Sequence, residues 1–137
     1  LVDAERVEAR LERLEELVER LEAVRGKGED AYLSDAGLRA MTERWLEVAI
    51  QACIDLGAQI VMELSAPAPS NYADIFKILG QKELLPNDLA ERLGNAARQR
   101  NLLVHLYMEI DDRAVFASLS FLDDLRQFAA FAQGRID

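Results

Sequence analysis

The sequence predicts an all-α fold: an antiparallel up-and-down four-helix bundle with one short extra helix, in a single domain over residues 1–137. Half of the residues are hydrophobic and only 7% are aromatic, with Leu, Ala, Glu and Arg prominent, which is the usage of helical proteins. Apolar residues recur at helical spacing in four long stretches, with no strand-like alternation, internal repeat or low-complexity tract. Only 3 prolines interrupt the chain, and Pro67 and Pro69 fall in the same connection.

The first helix, about residues 1 to 25, carries Val7, Leu11, Leu14, Val18 and Leu21 at alternating steps of four and three. That is a narrow seam of the coiled-coil kind, widened by Leu17, and it packs within the bundle or holds a partner. Gly26-Lys27-Gly28 ends the helix. A second helix runs from a cap at Ser34 or Asp35 to about Leu64. Between Val48 and Val61 it is apolar all round, so it is the central helix. Asp55 inside that run reads as solvent-facing or capping, since a buried carboxylate needs a partner.

After the proline connection, Asn71-Tyr72-Ala73-Asp74 reads as a cap with an acid in the first turn, opening a short helix to Gly80. Leu85-Pro86 starts the next helix, with Pro86 at its first position. Leu89, Leu93, Ala96 and Ala97 lead along it to Leu103 and Val104. Asp111-Asp112 caps the last helix, striped by Val115, Leu119, Leu122, Leu125, Phe128 and Ala129 as far as Gly134.

The formal net charge of -9 argues against a general nucleic-acid binder, because such binding is driven by neutralising phosphates. Distribution tempers the argument. Acids crowd the first helix, while Arg92, Arg98 and Arg100 precede the only histidine, His105. The acidic body can also dock a basic partner. Cys53 is the one cysteine; it cannot form an intramolecular disulfide and reads as a core residue. With no signal-peptide pattern or long apolar run, the chain reads as cytoplasmic and free of the membrane. No glycine-rich phosphate loop, Cys/His metal spacing or Ser-His-Asp arrangement is present, so neither a metal nor a cofactor is expected.

The chemistry concentrates in Arg100-Asn101-Leu102-Leu103-Val104-His105-Leu106-Tyr107. An arginine holds a phosphate by paired hydrogen bonds, and an imidazole, with a reference pKa of ~6.5, moves a proton near neutrality. Together they can cleave RNA. On an ideal helix Arg100 and His105 lie roughly 140° apart, whereas Asn101 and His105 are i, i+4 neighbours. Arg100 must therefore reach round, or the helix must end here. Asn101 orients the imidazole or a phosphate oxygen, or else caps a helix end. Tyr107 donates to a phosphate, or is a packed aromatic with an exposed hydroxyl. Two other readings stand beside a nuclease: a non-catalytic acidic helical interaction module, and a nucleotide-binding helper that grips a phosphate without cutting. Arginines paired with bundle acids favour the scaffold; basic charge confined to the motif favours the enzyme or the helper.

From Asn71 to Tyr107 the text Asn-Tyr-Ala-Asp-Ile-Phe-Lys-Ile-Leu-Gly, Leu-Leu-Pro, Leu-Ala-Glu-Arg-Leu and Arg-Asn-Leu-Leu-Val-His-Leu-Tyr resembles the HepT family of HEPN-domain ribonuclease toxins. The segment from Ile50 to Ile60, with Cys-Ile-Asp-Leu-Gly in it, is similar too. The resemblance implies a HEPN-like bundle and a metal-independent endoribonuclease toxin of a two-gene module; for that activity Arg100 and His105 are the expected catalytic pair, with Asn101 and Arg98 supporting or binding substrate. It implies a homodimer whose groove is built by two copies of the motif, and tRNA as substrate. It also implies an MntA-type nucleotidyltransferase antitoxin that transfers AMP from ATP to Tyr107. Ala97-Arg98-Gln99 before Arg100, and Leu106 after His105, depart from the family's usual neighbours and bear on groove shape and substrate preference.

Overall fold

A computed structural model describes residues 3–136. Among the described residues seven α-helices follow one another: α1 (Ala4–Lys27), α2 (Glu29–Ser34), α3 (Ala36–Met62), α4 (Tyr72–Gln81), α5 (Asn87–His105), α6 (Asp112–Ser118) and α7 (Leu122–Gln133). Single 3-10 turns at Tyr107–Glu109 and Leu119–Phe121 flank α6. The expected four-helix frame is α1, α3, α5 and the α6–α7 pair, with α4 as the extra helix against α5. The expected start of the first helix at residues 1 and 2 lies outside the described residues.

The caps read from the sequence set the helix starts. The Asp35 carboxylate accepts from Leu38 N at 3.0 Å, Asn71 Oδ1 from Asp74 N at 2.9 Å, and Asp111 Oδ1 from Arg113 N and Ala114 N at 3.0 and 3.2 Å. Each such cap is worth ~0.5–2 kcal/mol. Gly28 closes α1 at φ 89, a conformation that glycine adopts without strain. Pro86 stands one position earlier than expected, as the cap of α5.

The α1 seam packs inside the bundle: Val7, Leu11, Leu14, Leu17, Val18, Leu21 and Val24 are all buried. The helix α3 sits centrally, against α1, α4, α5 and α7. It is long and apolar enough to cross a membrane by length and composition, with 56% of its most apolar window buried inside the fold; its place at the centre accounts for the apolarity. Asp55 on α3 is partly exposed and accepts from Gln51 Nε2 at 2.8 Å. Gly57 lets α4 and α7 close on α3, because a Cβ there would meet Ile75 Cγ2 at 2.8 Å. Beside it the Phe76 and Phe128 rings stand edge to face at 5.5 Å. Cys53 is fully enclosed, and burial pushes its thiol up to about 12, so it stays protonated and unreactive.

Two features depart from the sequence reading. The helix α2 follows α1 directly and buries Tyr32 completely. The Tyr32 ring leans on Phe116 at 5.4 Å, and its phenol is pushed up to about 12 by burial and then by Glu43 and Asp112. The last helix is also broken after Ser118. Ser118 Oγ donates to Val115 O at 2.6 Å and Ser120 Oγ to Ala117 O at 2.8 Å. Such local bonds compete with the helical ladder, and the intervening turn re-aims α7 onto α1 and α3.

Candidate active site

The Arg100–Tyr107 stretch spans the end of α5 and the turn beyond it. Ala97 and Leu103, both buried, anchor the last turns of α5 to the core. His105 is the final helical residue, and Leu106 leaves the helix at φ -122, ψ 41 while its N–H still donates to Leu102 O at 2.9 Å. Tyr107 then opens the 3-10 turn, 68% exposed. His105 is exposed as well, so both groups face solvent.

Arg100 is half-buried, and its side chain meets Asn101 and Tyr72, with no contact to His105 among the described residues. Its Nη1 donates to Asn101 Oδ1 at 3.1 Å, and its guanidinium carbon lies 5.4 Å from the centre of the Tyr72 ring, the first residue of α4. The Arg100 Nε is enclosed and has no hydrogen-bond partner among the described residues. Asn101 lies within α5 and accepts from Arg100, so it does not cap a helix end. It also stands one turn before His105 on the same face, and thus links the two sides of the helix. Tyr72 was legible only as a helix-start residue, because its contact with Arg100 crosses between two helices.

The three neighbouring arginines do not form one cluster. Arg92 Nε donates to Asp124 Oδ1 and Oδ2 at 3.1 and 3.0 Å, and its Nη1 lies 3.5 Å from Asp88 Oδ2. The bond to Asp124 is the main reason the Arg92 pKa is raised. At ~100° per residue, Arg92 points roughly 120° away from Arg98, which is why it pairs with α7 and stays away from the motif. Arg98 is exposed, and its Nη1 donates to Asn95 Oδ1 at 2.7 Å. Arg98 and Arg100 make no ion pair among the described residues.

A cavity of about 340 Å³ opens on another face of α5, walled by Leu46, Ile50, Ala96, Phe121, Leu122 and Leu125. It takes in Arg92 and Gln99 but neither Arg100 nor His105. The motif is instead an open surface: a cation held between an aromatic ring and the Asn101 amide, with the amide one helical turn from an accessible imidazole. Among the described residues no three His, Cys, Asp or Glu side chains are placed to hold a metal ion.

Residues 10–132 match the family described as Ribonuclease HepT-like. A tRNA nuclease HepT of Aphanizomenon flos-aquae is 31% identical over 127 residues, covering 93% of this chain and 85% of that protein. An mRNA nuclease HepT of Shewanella oneidensis is 29% identical over 112 residues, covering 81% and 84%. A solved structure of a tri-AMPylated HEPN toxin from Shewanella oneidensis, in complex with its MNT antitoxin, shares the fold at a TM-score of 0.86 and 24% identity, over 98% of this chain and 100% of that one. With a match that runs from the α1 seam through Arg100, His105 and Tyr107 into α7, the chain belongs to the HepT-like ribonuclease family.

Proposed function

We propose that this chain is the toxin of a HEPN/nucleotidyltransferase module: a cytoplasmic, metal-independent endoribonuclease that cuts tRNA. The observation that carries the reading is the state of Arg100. In a protein of net charge -9, its guanidinium has no carboxylate partner among the described residues and is held between the Tyr72 ring and Asn101, the residue that shares a helix face with His105. In the proposed reaction the 2'-hydroxyl of one nucleotide attacks the adjacent phosphorus. His105 transfers the proton and Arg100 stabilises the charge building on the phosphorane oxygens. The products are a 2',3'-cyclic phosphate and a 5'-hydroxyl. Asn101 orients the Arg100 guanidinium, and Arg98 binds a flanking phosphate.

One imidazole per chain limits this chemistry. A mechanism with an imidazole base and an imidazole acid needs two copies, so the active species is a homodimer. The exposed Leu106 and Met108 beside the motif offer it apolar surface. Tyr107 is the proposed acceptor of AMP from an MntA-type antitoxin, which releases pyrophosphate from ATP. Its exposure allows a second enzyme to reach the hydroxyl. Each added AMP brings bulk and negative charge to the place where RNA must lie, so modification inactivates by exclusion and repulsion.

The test is incubation of the purified protein with labelled tRNA in EDTA, beside Arg100→Ala. Cleavage with cyclic-phosphate ends is expected from the unmodified protein and none from the variant. An inert wild type under these conditions would overturn the proposal. A second prediction follows from the ring under Arg100. A cation–π contact is worth ~0.5–2 kcal/mol, so Tyr72→Leu should lower kcat/KM roughly 2- to 30-fold. Tyr72→Phe keeps the ring face and should retain most of the activity; equal losses in both variants would show that the ring does not hold Arg100.

A further inference from the structure

Many cations in this protein are engaged by acids. Arg13, Arg25, Arg44, Arg92, Arg113 and Arg126 each reach a carboxylate. Among the described residues Lys77 and Arg98 reach none, and they share one groove of about 270 Å³ between α4 and α5. Both are exposed. The floor between them is made of small residues, Ala73, Gly80, Ala90 and Gly94. The two helices approach closely there: a Cβ on Gly80 would meet that of Ala90 at 2.9 Å. The result is an open groove lined by small residues, with room for an extended polar chain.

The groove ends at Arg98, and helix geometry points it toward the motif. On α5, Gly94, Arg98, Asn101 and His105 fall within one ~60° sector, and Arg98 precedes His105 by roughly 10 Å of helix. At its other end Glu91 lines the same groove, again roughly 10 Å beyond Arg98 on the same face. Positive charge thus lies next to the imidazole and gives way to negative charge farther along.

Resting on the ribonuclease reading above, we propose that the α4–α5 groove is the track that carries the RNA strand away from the cleavage point. Lys77 and Arg98 take flanking phosphates and Glu91 ends the footprint. A charged groove that follows the backbone, without reading bases, is the physics of sequence-tolerant strand binding. It also explains how a chain with net charge -9 can hold a polyanion: binding depends on the local field of the groove, and salt screens the acidic remainder.

The experiment measures binding of labelled tRNA by the full chain in a His105→Ala background, which slows cleavage enough to measure binding, across a range of salt concentrations. Adding Lys77→Gln or Arg98→Gln is expected to weaken binding several-fold at low salt. Each should flatten the log–log salt dependence by ~0.7–0.9, the signature of one lost phosphate contact. Adding Glu91→Gln should tighten binding. Unchanged affinity and slope in both cation variants would overturn the track while leaving the ribonuclease reading intact, provided that the wild type cleaves the same tRNA. Weaker binding with an unchanged slope would mark a structural effect and also overturn it. A wild type that does not cleave that tRNA would remove both proposals together.

Discussion

His105→Ala is expected to slow RNA cleavage by ~10²–10⁴-fold, the usual worth of positioned proton transfer, with no loss of fold. The asymmetry follows from where the side chain sits. His105 is exposed at the last turn of α5 and makes no side-chain hydrogen bond among the described residues, so its removal opens no cavity and strands no polar group. Single-turnover cleavage of labelled tRNA and a thermal melt on the same samples check the two halves together. Cleavage at the wild-type rate would reject the assigned proton transfer. A collapsed melting transition would instead reject the view of His105 as structurally idle. Because the proposed acid and base come from two copies, a mixed dimer with one His105→Ala chain should also be impaired, retaining one imidazole where two are needed.

Phe128→Ala is expected to have the opposite profile, costing ~3–5 kcal/mol of stability as large core aromatics do. Phe128 is completely buried, stands edge to face with Phe76 and lies against Phe131 at 5.8 Å. Its ring also lines the close approach at Gly57, whose Cβ position is 3.6 Å from Phe128 Cζ. Truncation therefore leaves a void where α3, α4 and α7 meet, and neighbouring helices held at contact distance cannot readily collapse into it. Since domains of this size have only about 5–15 kcal/mol in hand, the variant should unfold at much lower urea, with the slope of the transition preserved. A midpoint near that of the wild type would show that the junction repacks.

The legible part of this fold was what local patterning controls. The α1 seam, the apolar girth of α3, the caps Asp35, Asn71 and Asp111, and the position of the motif at the end of α5 all follow from periodicity or from a side chain bonding its own backbone a few residues on. What stayed hidden depends on partners distant in sequence. Nothing local pairs Arg92 with Asp124, 32 residues away, or seats Arg100 on Tyr72. The stripe of the last helix continues across the break at Ser118, so its period was real; the serine bonds that interrupt it left only a faint compositional trace in Ser118 and Ser120. The exposed imidazole and tyrosine could be named from sequence as chemistry, but their accessibility depends on α5 stopping at His105, with neither Gly nor Pro to announce it.

The stop at His105 divides the motif into parts of different mechanical character. Arg100, Asn101 and His105 ride on one stiff rod, so the distances among them are fixed by helix geometry. Tyr107 lies past Leu106, in a single turn held by the Leu106 N–H bond to Leu102 O and the Glu109 N–H bond to Leu106 O, so swinging the phenol costs two backbone bonds and leaves α5 intact. In the proposed cycle the residue offered to the antitoxin is thus free to enter a foreign catalytic pocket, while the groups that address RNA keep their alignment and are ready again once the tyrosine is bare.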